Sequence, residues 1–452
     1  MRVDTRFRYN KPMLQHNTLG TRALYGALGA TGLFLLGGCP SEAPGEPPAG
    51  QWYAGDFHVH SSVGSNDTYD SEGQGLSWPR DIAAVARERG MSFVTVTDHS
   101  NSAGSVTHTT MEFEDRWNEG PEFPLWETAA ALTTQDFLFI NGSEISPVSY
   151  LDPAICEDCS ETGEKLEPVG HIGCVPRSLE TFDTTGAIID RPPGAVTGKM
   201  AVDQCLERNG FAILNHPYSD PVVWLTYDWT SFDYNAIEVW NGSAGYSFMD
   251  HAAYDAYLCD RLAGRDVVAV GGSDNHVTHV PYHDNPINLR PPLGMPMTSV
   301  FADALEWDRI MTAVSNGRIV IHDKGSFVQF HVRADAQYVG GIGDTIRISQ
   351  LKEPSVTMRL RGESTLAQEL RVTHVAPDGC NDPRAAFTSS LPEVTRNVVH
   401  EQRVCETESP CTFETDLTLE LKPGLYFATL GSPNRSALNL RNIAMTNVLT
   451  IQ

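Results

Sequence analysis

Short apolar runs alternate with stretches of helical spacing from Trp52 to about His322. Phe93-Val94-Thr95-Val96, Phe137-Leu138-Phe139-Ile140, Phe211-Ala212-Ile213-Leu214, Ala236-Ile237-Glu238-Val239 and Val267-Val268-Ala269-Val270 carry apolar side chains at consecutive rather than alternate positions. That pattern predicts strands buried on both faces. Ser77-Trp78-Pro79 opens a helix on which Ile82, Val85 and Ala86 share a face, and further helices are expected near 198–209, 249–264 and 306–316. Repeated strand–helix units imply an α/β fold built on a parallel sheet or barrel. After His322 the period becomes two: Val328, Phe330 and Val332 alternate with polar residues, as do Leu417, Leu419 and Leu421, and Pro423-Gly424 marks a turn. A C-terminal antiparallel β-sandwich is therefore expected over residues 323–452, after an α/β domain over residues 51–322.

The chain has 452 residues, 41% of them hydrophobic, which is ample for a core and too long for one ordinary domain. A formal net charge of −25, with no Lys/Arg-rich block, excludes nucleic acid as a structural partner. A small anionic substrate stays possible, because bound metal reverses the local field. Arg2, Arg6, Arg8, Lys11 and Arg22 precede an uncharged stretch from Ala23 to Gly38, the layout of a secretory signal and too short to favour a spanning helix. It ends in Leu36-Gly37-Gly38-Cys39, which resembles the bacterial lipobox. The resemblance implies a lipoprotein signal peptide over residues 1–38 and a lipid anchor on Cys39. Residues 39–50, rich in Pro, Glu and Gly, read as a tether. Pro40 after the lipid cysteine resembles lipoproteins of the outer membrane, so the expected location is its periplasmic face or the cell surface. The remaining cysteines are Cys156, Cys159, Cys174, Cys205, Cys259, Cys380, Cys405 and Cys411; an even count in an exported chain predicts disulfides. A loop disulfide is favoured for Cys156 and Cys159 over a zinc knuckle, since there is no second C-x-x-C.

Polar residues concentrate where the predicted strands end. Gly55-Asp56-Phe57 leads to His58 and His60, Phe93–Val96 to Asp98 and His99, and Phe137–Ile140 to Glu144. Val169-Gly170 leads to His171, Phe211–Leu214 to His216, and Val267–Val270 to Asp274 and His276. In a barrel the C-terminal strand ends converge on one face, so these residues would meet in one pocket. Imidazole with carboxylate suits zinc, manganese or iron, and a carboxylate can bridge two ions.

His58-Val59-His60, Thr97-Asp98-His99-Ser100-Asn101, Asn215-His216-Pro217 and Gly272-Ser273-Asp274-Asn275-His276 resemble, in order and approximate spacing, the successive motifs of the PHP (polymerase and histidinol phosphatase) superfamily. The length, with a C-terminal β domain, is similar to the carbaryl-hydrolase-like branch. The resemblance implies a distorted (β/α)7 barrel holding two or three divalent ions. One ion would take His58, His60, Glu144 and Asp274. A second would share Glu144 and take His171 and His216. A third would take His99, His276 and Asp67, with Asp70 the alternative. The implied activity is a phosphoesterase acting on a small-molecule ester, with a metal-bridging hydroxide as nucleophile. A carboxyl-ester or carbamate hydrolase on the same site is the second expectation. A surface-anchored binding lipoprotein with a structural metal cluster is the third.

Other residues carry weaker expectations. Asp98 is placed behind the ligands, orienting His99 or a neighbour. His279 or His283 could donate a proton to a leaving group, although a loop role is favoured. Glu238 either lines the pocket or is solvated. Arg177 and Arg290 could hold a phosphate but read better as surface residues. Tyr218, Trp224, Trp229 and Tyr246 read as a satellite core rather than a stacking platform. His108, His251, His331 and His374 have no assigned role. Oligomeric state is not legible.

Overall fold

The computed structural model describes residues 47–62, 65, 68, 77–99, 125–147, 170–183, 197–219, 224, 229–242, 246–279, 291–384, 390–406, 410–431 and 442–452. The first half contains β1 (Gln51–Val59), α1 (Pro79–Glu88), β2 (Phe93–Val96), α2 (Leu125–Leu132), β3 (Leu138–Asn141), β4 (Ser143–Ile145), β5 (His171–Pro176), α3 (Gly198–Glu207), β6 (Gly210–Asn215), β7 (Ala236–Asn241), α4 (Phe248–Leu262), β8 (Val268–Gly272), β9 (Met297–Ala302), α5 (Trp307–Ser315) and β10 (Ile319–His322). Among the described residues strands follow, with one 3-10 turn at Ile348–Gln350: β11 (Ser326–Ala334), β12 (Gln337–Gly341), β13 (Thr345–Ile346), β14 (Ser355–Ser364), β15 (Gln368–Val375), β16 (Cys380–Asn381), β17 (Glu393–Val394), β18 (Asn397–Val404), β19 (Cys411–Glu420), β20 (Gly424–Gly431), β21 (Asn442–Thr446) and β22 (Leu449–Ile451). The fold is mixed α/β and rich in sheet. Among the described residues no helix is long and apolar enough to cross a membrane.

Two sheets position the candidate site. In one, β3, β2 and β1 are parallel, and β1 continues antiparallel through β9 and β10 to β21. In the other, the order is β4-β5-β6-β7-β8. The sheets meet end to end at two seams. His60 N–H donates to Asn275 O at 2.9 Å and Asp274 N–H to His58 O at 2.8 Å. Across the other seam Glu144 N–H donates to Asp98 O at 2.9 Å.

The expected parallel run fails at β5. This strand is antiparallel to both β4 and β6, with His171 opposite Asn215. His171 therefore opens its strand instead of following one. A reversed strand brings its first residue to the edge where its parallel neighbours end, so His171 still stands beside His216.

The helices follow the apolar spacing. α1 begins at Pro79, whose missing N–H is no loss in the first turn, and buries Ile82, Ala83, Val85 and Ala86. Burying a side chain such as Ile82 contributes roughly 1.5–3 kcal/mol. α4 starts in a reciprocal box in which Ser247 Oγ accepts from Asp250 N–H and the Asp250 carboxylate accepts from Ser247 N–H. Beyond β10, the sheet β12-β11-β14-β19 packs its inner face (Val328, Phe330, Val332, Met358, Leu360) against Val372, Tyr426, Ala428 and Leu430 of the long sheet. Leu417 and Leu419 line the same core, partly buried, as their alternation predicts.

Disulfides join Cys174 to Cys205, Cys259 to Cys380 and Cys405 to Cys411. The second ties α4 to β16. Beside it the buried Arg384 donates to Asp260 at 2.7 Å and lies over the Trp229 ring at 4.6 Å. Cys39, Cys156 and Cys159 lie outside the described residues.

Candidate metal centre

His58, His60, His99, Glu144, His171, His216, Asp274 and His276 come together where the two sheets meet. Four overlapping triplets among them offer ligand atoms within 4.8 Å of one another: His58–His60–Asp274, His58–Glu144–His216, His99–Glu144–His171 and His60–His99–His276. Glu144 is central. Its Oε1 lies 3.1 Å from His58 Nε2, 3.1 Å from His171 Nδ1 and 3.2 Å from His216 Nε2, and its Oε2 is 2.9 Å from His99 Nδ1. Asn215 donates to the same Oε1 at 2.8 Å and steadies the carboxylate. Asp67, Asp70, His283, Arg290 and His108 lie outside the described residues.

The tautomers follow from the outer contacts. His58 Nδ1 faces Glu238 Oε1 at 3.1 Å, and a carboxylate oxygen only accepts, so Nδ1 carries the proton. Ser65 Oγ donates to Asp98 Oδ1 at 3.0 Å and accepts from His60 Nδ1 at 3.0 Å. Both rings thus aim bare Nε2 lone pairs inward, 3.1 Å from each other. Asp274 Oδ1 completes the group, 3.3 Å from His58 Nε2 and 3.1 Å from His60 Nε2. With both imidazoles neutral, lone pairs from four Lewis bases thus converge with no proton among them; without a cation, the carboxylates hold a proton on His58 instead. A divalent cation at their centre removes the repulsion, and the donor set suits one.

Two further observations pass the same test. Glu144 Oε2, His216 Nδ1 and both ring nitrogens of His171 are buried without a hydrogen-bond partner among the described residues, although carboxylate and imidazole approach within bonding range. The residues are also shaped against local preference. Asp274 has φ +51° and His216 φ +27°, left-handed conformations that cost non-glycine residues energy and tend to mark functional sites.

Ionisation reflects the crowding. Burial alone would lower His58, but Asp274, Glu144 and Glu238 hold it well above the usual imidazole range. Burial, reinforced by His276 and His99, pushes His60 down to about 3. Burial opposes charge on Glu144, yet His171, His58 and His99 hold it well below the usual carboxylate range. The ligand candidates are shielded except on one side. Asp274 and His276 side chains are 25% and 26% exposed, against 5% or less for the others.

Three supporting residues were legible only in part. Asp98 accepts from Ser61 N–H and Ser61 Oγ, both at 2.6 Å, so it reaches His60 through Ser65 rather than touching His99's ring. Burial raises Asp98 to about 6 despite these donors. Glu238 is buried, which settles its two readings in favour of the pocket. Asp56 carries no role in the sequence reading. Its carboxylate accepts from His58 N–H, Ser273 N–H and Gly294 N–H at 2.8–3.1 Å, fixing the backbones that carry His58 and Asp274. A carboxylate two residues ahead of His-x-His was the available signal.

The remaining candidates fall elsewhere. His279 is exposed and shows no contact with the ligand group among the described residues. Arg177 donates to Gly210 O at 3.0 Å and covers the Phe211 ring. Tyr218, Trp224, Trp229 and Tyr246 are all core residues. His251 contacts Arg396 at 3.2 Å, His374 contacts Pro423 O at 3.0 Å, and His331 sits by Tyr338.

No protein-family model and no curated protein matches the chain. Among solved structures it is similar to a two-domain protein containing a predicted PHP-like metal-dependent phosphoesterase from Bacteroides vulgatus, at 16% identity and a TM-score of 0.40, covering 91% of this chain and 100% of that one. PsfC from Pseudomonas syringae matches at 20% identity and 0.32, over 55% of this chain and 82% of that one. The lesion-specific endonuclease PfuEndoQ from Pyrococcus furiosus matches at 14% and 0.35, over 59% and 56%. At such scores the functional reading rests on the residues themselves.

Proposed function

We propose that this chain is a divalent-metal-dependent hydrolase of the PHP superfamily that cleaves phosphoester bonds in a small-molecule substrate. The observation that carries the reading is the convergence of His58 Nε2, His60 Nε2, Glu144 and Asp274 lone pairs, with both imidazole protons committed to Glu238 and Ser65. The ions would be held by His58, His60, Glu144 and Asp274; by Glu144, His171 and His216; and by His99 and His276 with Asp67. When bound they supply Lewis acidity toward a phosphoryl oxygen and a nucleophile drawn from water. The chain's own residues do the rest. Asp98 and Ser65 hold the His60 ring, Asn215 holds Glu144, and the partly exposed Asp274 and His276 form the entrance.

The ring of β1, β2, β3/β4, β5, β6, β7 and β8, closed at its two seams, supports reading the first half as a distorted seven-stranded barrel. The paired sheets beyond His322 support a C-terminal sandwich. Export and a lipid anchor at Cys39 belong to the same proposal, and the disulfides suit an oxidising compartment.

A second reading is hydrolysis of carboxyl esters or carbamates on the same centre. It is favoured by Arg177, which is turned onto Phe211 and away from any clamp on a phosphate. Chelation followed by reloading with zinc, manganese or iron, against aryl phosphates, phosphodiesters and aryl carbamates, tests both. Activity on carbamates alone removes the first reading. Unchanged hydrolysis in the double variant His58→Ala, Asp274→Ala removes both, and a reloaded protein inert to the whole panel leaves a binding lipoprotein.

A further inference from the structure

Glu238 is buried in β7, yet it has no place in the ligand sets above. Its two oxygens are fully engaged. Oε1 accepts from His58 Nδ1 at 3.1 Å; Oε2 accepts from His216 N–H and from Asn241 Nδ2, each at 2.9 Å. One carboxylate thus spans a candidate ligand of the first ion and a candidate ligand of the second. Asn241 extends the contact to Asp274 Oδ2 at 3.4 Å.

The local structure is arranged around this side chain. Residues 238 and 241 of a regular strand face opposite sides of the sheet. The β7–β8 register slips between Glu238 and Trp240, and that irregularity turns both Glu238 and Asn241 toward the site. Opposite, Gly272 leaves the space: a Cβ there would stand 2.5 Å from Glu238 Oε1 and 2.5 Å from His58 Cβ. The third proposed position, around His99 and His276, makes no contact with Glu238 among the described residues.

We infer that Glu238 is the positioning residue that couples the first two ion sites, fixing the His58 tautomer and the His216 backbone together. The inference rests on the metal-centre reading above. It requires that Glu238 act on metal affinity at two positions and leave the third alone. Glu238→Gln keeps the shape, but its amide nitrogen cannot accept from His216 N–H and Asn241 at once.

The test is metal uptake by chelator competition on apo wild-type and E238Q protein, using manganese and then zinc, with circular dichroism to confirm the fold. Two classes of site are expected to weaken by about 10–100-fold while one keeps wild-type affinity. Equal loss at every position, or no loss at all, overturns the inference and leaves the metal reading intact. A wild-type chain that takes up no ion overturns both. A second readout needs no variant: 15N shifts of His58 in the zinc-loaded wild type should report a proton on Nδ1 and the ion on Nε2. The opposite tautomer overturns the inference.

Discussion

One methyl group at Gly272 probes the geometry of the centre. In Gly272→Ala the new Cβ would sit 2.5 Å from His58 Cβ, 2.5 Å from Glu238 Oε1 and 3.2 Å from His58 N, whereas ordinary contact begins at 3.4 Å. The gap must open by about 0.9 Å, the difference between the two carbon distances. Glu238 cannot swing aside without leaving His58, His216 and Asn241. His58 cannot recede freely either, since its N–H is held by Asp56 and its carbonyl by Asp274 N–H. Overpacking of this kind costs about 1–3 kcal/mol of stability. Displacing a reacting geometry by roughly 1 Å costs on the order of 100-fold in rate. Urea midpoints measure the first, and hydrolysis by protein reloaded with manganese measures the second. A G272A protein with wild-type midpoint and rate would refute the packing argument, and with it the claim that Gly272 makes room for Glu238.

Two other predictions concern groups outside the centre. Burial pushes Asp323 up to about 7, against a hydrogen bond from Ser326, and its Oδ1 has no partner among the described residues. A raised carboxyl favours the folded state below pH 4, and that advantage disappears as pH climbs toward 7; Asp323→Asn should therefore gain up to about 4 kcal/mol at pH 8 relative to its effect at pH 4. Equal effects at both pH values in denaturant melts would count against it. Arg384→Met leaves the buried Asp260 with the longer 3.8 Å contact to Arg265 as its ion pair and should cost about 3 kcal/mol, much of it recovered in Arg384→Met with Asp260→Asn. A double variant no more stable than R384M would show that the charge is not the cause.

The fully buried strands were the most legible part of the fold. β2, β3, β6, β7 and β8 fall on the apolar runs because a strand covered on both faces needs no polar alternation. The helices near 198–209, 249–264 and 306–316 appear as α3, α4 and α5; α3 and α5 bury one face each, whereas α4 is buried all round from Ala252 to Asp260. The direction of β5 was not legible. A strand reads alike in parallel and antiparallel sheets when both faces are covered, and nothing in His171–Pro176 marks the reversal. At the centre, ligand residue types stood out because they lie beside buried runs, most of them just after one and His171 at the head of one. The supporting layer did not: Asp56, Ser65 and Glu238 are ordinary polar residues whose partners lie as far as 238 positions away in the chain. Pairings set by tertiary approach leave no local pattern.

The long sheet has a consequence for how the protein comes apart. β1 carries His58 at its C-terminal end, with His60 just beyond, and hydrogen-bonds to β9, which bonds to β10, which bonds to β21 near the chain's end. Cys259–Cys380 and the Arg384–Asp260 pair add a covalent and an ionic stitch between the same two regions. Amide exchange in β1 and in β21 should accordingly report a single cooperative opening. A chain ended at His322 would bare the edge of β10 and take Arg384 from Asp260. The β-rich region is thus part of the frame that holds the histidines still, whatever else it contacts.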